Sequence, residues 1–441
     1  VTPRRSRAAG RARRAAAVAC LAALLAGCAG GTAVRGAGES PAAAETSARS
    51  ALDDVRAEQL AAAPWGPTPD QVVAATRRAA AMTPEQVAGQ LIVGRLRGTD
   101  PATAVDLVSD LHLAGVMVTG DSVASLDQVL ALSTGVHGAV AADGRDWPGL
   151  VGTDNEGGAV QRMSGDVGPW TTFPPFAVAG EVDDARVVTD AYAAMATELR
   201  ASGVTVDWAP VADVTVPGAD VTIATRGAGT DPAVVARTIA RATKGFLAGG
   251  VLPAAKHFPG HGALTTDSHV ALPVRDATDA ELRAHDLPPF RAAVQAEVPM
   301  VMMGHVDVRA WDPGTPASVS PRAYRVLRED LGFGGVSVTD SLGMGALGGV
   351  GGPGDVAVAA LAAGADLLLS PADNAVAHAA VVAAIEDGTL DRDAVDASAG
   401  RVIAMMAYQD TLAQRAGPAR PQDVGSAAEA VRALRAAAGS P

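Results

Sequence analysis

The chain has 441 residues, 48% of them apolar and only 3% aromatic, with a formal net charge of −13. That length provides one large domain or two modest ones, with a core built from Ala, Val and Leu. The acidity speaks against nucleic-acid binding, which needs a basic face, and favours solubility without specifying a fold.

The N-terminus reads as a targeting segment. Arg4, Arg5, Arg7, Arg11, Arg13 and Arg14 precede an apolar stretch at 15–26, the basic and hydrophobic regions of a signal peptide. Leu25-Ala26-Gly27-Cys28 then forms a lipobox. The expectation is a signal peptide over 1–27, cleavage before Cys28 and lipidation of its thiol. A stretch of about twelve apolar residues is too short to span a bilayer. The mature protein is thus expected at the cell membrane, lipid-anchored on its extracytoplasmic face. Cys20 and Cys28 are the only cysteines, so the mature domain can form neither an internal disulfide nor a thiolate metal site.

Residues 28–66 are rich in Ala, Gly, Ser and Glu and read as a flexible tether with a reach on the order of 30 Å. The globular part is expected over 67–416. Thr83-Pro84-Glu85-Gln86 has the signature of a helix start. Short apolar runs follow at 115–118, 150–153, 205–208, 251–255, 300–303, 335–339 and 365–369. Helical patterns lie between them, such as 190–201, 231–247 and 321–331. This alternation predicts an α/β fold, a (β/α)8 TIM-like barrel forming a single catalytic domain, rather than an open sheet. No glycine-rich dinucleotide fingerprint follows the first run. Residues 417–441 read as an Ala-rich tail, a weak helix or disordered.

Chemistry-bearing residues stand at the ends of these runs. KHFPGHG (256–262) and TDSH (266–269) gather Lys256, His257, His261, Asp267 and His269 on a segment broken by Pro and Gly. Such a segment cannot be a regular helix and reads as a loop. Asp154 follows the 150–153 run in GTDNEGG, and Asp340 follows the 335–339 run in VTDSLGMGAL. In a barrel these ends converge on one face. His305 and Asp307 stand close to them, and Asp207 and Asp213 in DWAPVAD read as structural.

The combination of GTDNEGG, KHFPGHG with a following DSH, and VTDSLGMGAL resembles the β-N-acetylglucosaminidases of glycoside hydrolase family 3, over about 82–407. The opening stretch MTPEQVAGQLIV resembles the first helix of that family. The resemblance implies retaining, two-step hydrolysis with Asp340 as nucleophile, His269 as acid/base and Asp267 as its partner. It implies sugar contacts from Asp154, Lys256, His257, Arg162 and Arg226. A histidine titrates near neutral pH, as a group that gives and retrieves a proton should. His261 is a supporting or structural residue on this reading. Two departures from the family pattern bear on subsite affinity. Ala159 stands where relatives carry Arg, and Gly227-Ala228-Gly229 follows Arg226 where they carry Ser and an aromatic residue.

The resemblance further implies removal of terminal N-acetylglucosamine from cell-wall glycans by a monomer that needs no metal and no organic cofactor. Rival readings are a phosphorylase or β-glucosidase of the same family, a metal hydrolase and a lipid-anchored sugar-binding protein. A histidine acid/base would not repel an anionic acceptor such as phosphate. The metal reading uses His257 and His261 at helical spacing, but Pro259-Gly260 between them forbids the helix. The binding-protein reading makes both a nucleophile and a proton donor superfluous.

Overall fold

A computed structural model describes residues 41–219 and 222–439, and the compact unit considered below runs Ser47–Pro441. Cys28 and the targeting segment lie outside the described residues. No described helix is long and apolar enough to cross a membrane.

Eight strands form the centre. They are β1 Ile92–Arg95, β2 Gly115–Val118, β3 Leu150–Thr153, β4 Val206–Asp207, β5 Leu252–Phe258, β6 Met300–Met303, β7 Val336–Thr339 and β8 Leu368–Leu369. Their order is β7-β6-β5-β4-β3-β2-β1-β8, and every pairing is parallel. A parallel bridge between Val338 and Leu367 joins the two ends of the sheet. The strands are short, mostly apolar and almost wholly buried, as parallel strands covered on both faces must be. Helices such as Ala185–Ala201 and Pro232–Gly249 cover the outside. The α/β barrel expected from the alternation is the observed architecture.

Several boundaries differ from the sequence reading. The Thr83 hydroxyl accepts from Gln86 N at 3.3 Å and the Gln86 side chain accepts from Thr83 N at 3.1 Å, the expected capping box. The helix it starts, Pro84–Gln90, is only seven residues long, and Ile92 and Val93 belong to β1. Strand β5 continues to Phe258, so Lys256 and His257 are strand residues rather than loop residues. The tether reading of 28–66 is corrected from residue 41 on. Helix Pro41–Ala61 occupies much of that stretch, and Val55 and Gln59 are buried. The Gln59 amide donates to Gly334 O at 3.1 Å and accepts from Trp65 Nε1 at 2.8 Å. Within 417–441, helix Ala428–Ala437 packs onto the body through fully buried Leu434. Favourable apolar burial of this kind outweighs the weak periodicity of both segments, and for the tail it selects the helix of the two alternatives.

Candidate active site

The C-terminal ends of the strands surround a cavity of about 390 Å³, a size suited to a small polar ligand. Asp154, Arg162, Arg226, Lys256, His257, His269 and Asp340 all line it, together with Arg95, Ser268, Ser341 and Gly343. Met117, Met302 and Leu369 supply apolar lining. Asp267 stands one step back, bonded to His269.

The base of the site is a buried ion cluster. Lys256 Nζ lies 2.7 Å from Asp154 Oδ1 and 2.6 Å from Glu156 Oε1. Arg226 grips the same Glu156 through Nε and Nη2, each at 2.8 Å. Burial by itself would raise the Glu156 pKa, but Lys256 and Arg226 outweigh it and hold the carboxyl at about 2. Glu156 was not singled out from the sequence, although it stands in GTDNEGG. Its partner Arg226 comes seventy positions later, so no local pattern reveals the pair. Three of the five N–H groups of Arg226 are engaged, two on Glu156 and one on Thr222 O. Its contact with a ligand is therefore limited to what remains.

His257 is oriented by a second buried acid. Asp213 Oδ2 lies 2.7 Å from His257 Nδ1, and Asp213 Oδ1 accepts from His261 N at 2.6 Å. A carboxylate only accepts, so Nδ1 carries a proton and the Nε2 edge is left for a ligand. Asp207, also in DWAPVAD, accepts from Asn155 N at 2.9 Å. Burial pushes its pKa well above its ordinary value. Both aspartates are structural, and Asp213 also sets the pose of a cavity residue.

Asp340 follows β7 directly and is partly buried. Its carboxylate accepts from Ser341 N at 2.7 Å. Burial works to raise its pKa; His257, His305, that N–H and Lys256 together bring it below the ordinary value. Burial pushes the pKa of His305 down. His305 Nε2 donates to Ser341 O at 3.0 Å, so Nδ1 accepts from the Ser318 hydroxyl at 2.7 Å. His305 thus braces the turn that carries Asp340.

His269 sits at the rim, with its side chain 64% exposed. Asp267 Oδ1 accepts from both the Nδ1 and the backbone N of His269, at 2.8 and 2.9 Å. The backbone N–H, then the ring, hold Asp267 below its ordinary pKa. Nε2 is left as the nitrogen able to exchange a proton with a ligand. The loop is docked twice. His261 Nε2 lies 3.0 Å from Ser268 Oγ, and Gly345 N and Ala346 N donate to His269 O and Ser268 O, each at 3.1 Å. His257 and His261 are thus committed to Asp213 and Ser268. Among the described residues no group of three or more His, Cys, Asp or Glu is placed to hold a metal ion. Asp307 accepts from Gly314 N at 2.9 Å, outside the cavity lining.

The sequence and the fold are similar to those of known proteins. A family model described as glycosyl hydrolase family 3 N terminal domain matches residues 83–405. The chain is 33% identical over 337 residues to the β-hexosaminidase LpqI of Mycobacterium tuberculosis, covering 74% of this chain and 83% of that one. A glycoside hydrolase family 3 β-N-acetylglucosaminidase from Paenibacillus sp. str. FPU-7 has a similar structure, with a TM-score of 0.75 and 32% identity, over 81% of this chain and 69% of that one. A glycosyl hydrolase of the same family from Mycobacterium smegmatis gives a TM-score of 0.67 at 34% identity, over 78% of this chain and 99% of that one.

Proposed function

The chain belongs to glycosyl hydrolase family 3 and is a glycoside hydrolase, and from that premise we propose that it is a retaining, exo-acting β-N-acetylglucosaminidase. The observation that carries the reading is one cavity lined by both Asp340 and His269, the latter paired with Asp267. The relatives named for β-hexosaminidase and β-N-acetylglucosaminidase activity support the substrate class.

In the first step an Asp340 oxygen bonds to the anomeric carbon as the bond from that carbon to the leaving oxygen breaks. The proton on His269 Nε2 passes to the leaving oxygen. In the second step water attacks the anomeric carbon, its proton returns to Nε2, and the bond to Asp340 breaks. Asp340 must be ionised to attack, and its lowered pKa suits that task. Asp267 fixes the tautomer of His269 and stabilises the imidazolium. Asp154, Lys256, His257 and Arg162 supply acceptors and donors for ring hydroxyls. The closed base and open rim suit removal of a terminal sugar.

The natural substrate in this reading is a cell-wall glycan ending in N-acetylglucosamine. The lipobox at Cys28 supports attachment to the outer face of the cell membrane. Proton NMR of the first-formed sugar tests the mechanism. A β-anomer that mutarotates later is expected; an α-anomer as first product would sink the retaining scheme. Product analysis with inorganic phosphate present separates hydrolysis from phosphorolysis: free sugar alone is expected.

A further inference from the structure

The segment that carries His269 leaves the barrel after Phe258 and returns to regular structure in the short strand Val274–Arg275. One residue outside it touches both of its ends. Asp286 directly follows helix Asp279–His285, and its side chain is 1% exposed. Its Oδ2 accepts from Arg275 Nη2 at 2.9 Å. Its Oδ1 faces Gly260, where an added Cβ would lie 2.9 Å from that oxygen. Gly260 also has a φ of 137°, so backbone and space both call for glycine there. The start and the end of the His269 segment thus meet on one carboxylate.

The other attachments are apolar or main-chain. Leu264, from within the segment, is buried with Leu282, Val306 and Val308 in a small core apart from the main one. Val274 and Arg275 pair in parallel with Asp307 and Val308. The limb that returns from His269 to this pairing packs poorly: Val270 is 77% exposed and Val274 41%. Arg275 is the first charged side chain after His269, and the first that ties this limb to the body by an ion pair.

Stability is a weak reason for such a pair. Burying a carboxylate and a guanidinium forfeits about as much hydration as their attraction returns, and an apolar pair of similar volume is often as good or better. Here Asp286 Oδ1 and Arg275 Nε are buried with no hydrogen-bond partner among the described residues, which adds to the cost. His285 Nδ1 lies 3.4 Å from Oδ1 and makes no hydrogen bond to it. The pair supplies geometry instead. A directed, charge-assisted bond joins the two ends of residues 261–274 and removes freedom from the loop between them.

Resting on the role given above to His269, we propose that Arg275, anchored by Asp286, is a positioning residue for proton transfer. It holds the returning limb of the loop so that His269 Nε2 meets the leaving oxygen.

The test measures kcat/KM for two aryl N-acetylglucosaminides, one with a poor and one with an activated leaving group. Wild type is compared with Arg275→Gln, Arg275→Lys, His269→Ala and the double variant Arg275→Gln/His269→Ala. Misplacing a reacting group by about 1 Å costs up to about 10²-fold. Arg275→Gln should therefore lose about tenfold with the poor leaving group and less than about twofold with the activated one. Arg275→Lys should recover most of the loss, since an ammonium can still meet the same carboxylate. In the double variant the selective part of the Arg275→Gln loss should vanish. Arg275→Met/Asp286→Asn removes the pair without leaving a buried charge and should show the same selectivity. A loss equal for both leaving groups, or a selective loss that persists without His269, overturns the proposal. Failure of the proton-donor reading looks different: His269→Ala itself would then lose equally with both glycosides. Amide hydrogen exchange decides the tie separately. Residues 261–274 should exchange faster in Arg275→Gln while the barrel strands do not, and unchanged exchange there overturns the tie.

Discussion

The base and the rim of the cavity handle charge in opposite ways. At the base, Lys256, Arg226, Asp154 and Glu156 are locked together at 2.6–2.8 Å with water largely excluded. Against the opposing effect of burial, this pairing lowers the pKa of Glu156 and raises those of Lys256 and Arg226. At the rim, His269 is 64% exposed, with a single carboxylate behind its ring. In the proposed mechanism the base holds a sugar in a fixed field, while the rim exchanges protons. A site that needs both constancy and a proton in transit divides them between two elements.

The largest effect should come from the group that neither region can replace. Asp340→Asn is expected to lower kcat by on the order of 10⁴ or more, as removal of a nucleophile does. Retention of more than a tenth of the rate on a chromogenic N-acetylglucosaminide would refute its assignment.

Breaking the base comes next. Glu156→Gln leaves Arg226 without its bidentate acceptor and should cost about 3–5 kcal/mol, read by urea unfolding. The pH dependence follows the same pair. The folded pKa of Glu156, about 2, lies below its ordinary 4.5. Its contribution is therefore present above pH 4.5 and lost as pH falls towards 2. Wild type and Glu156→Gln should converge in stability over that window, and parallel curves would contradict the cluster as drawn.

Breaking the rim should spare the fold and damage the chemistry selectively. His269→Ala is expected to cost about 10²–10⁴ with poor leaving groups and much less with activated ones. Asp267→Asn should act in the same direction with a smaller loss. An equal relative loss across leaving groups would show that the proton donor lies elsewhere.

The smallest change sharpens the picture of the base. Asp207 is buried and its pKa is pushed up. A carboxyl with a raised folded pKa costs stability progressively as pH rises above its unfolded value. Asp207→Asn keeps an acceptor for Asn155 N and removes that cost. It should be neutral or stabilising by up to about 1 kcal/mol at pH 7 in thermal unfolding. A clear loss of stability would mean that Asp207 is ionised after all.

The same division explains what could be read from the chain. Asp154 and Asp340 stand directly after apolar runs, so their place at strand ends was visible. The rim motif was visible because Asp267 and His269 are neighbours in sequence. The base cluster was not. Glu156 meets Arg226 and Lys256 only through the barrel, and a buried acid looks locally like any other acid. Strand β5 misled for the same reason. Lys256 and His257 look out of place in a strand until Asp154, Glu156 and Asp213 satisfy them. Strand β1 escaped notice because a single residue separates it from the helix before it. Helix Pro41–Ala61 looked like a linker because its anchoring contact at Gln59 is made to the distant Gly334.

One attachment has a lasting effect on how this enzyme can change. The carbonyls of Ser268 and His269 are held by N–H groups of Ala346 and Gly345, so the proposed proton donor and the loop after the proposed nucleophile share a main-chain seam. Every amino acid except proline offers the same amide at these points, so side-chain exchange cannot readily retune the spacing between the two reacting groups. Position 345 is the exception, since a methyl there would sit 2.7 Å from both His269 O and Val270 O. Drift in the surrounding sequence can thus reshape what the cavity admits while leaving the spacing between Asp340 and His269 almost untouched.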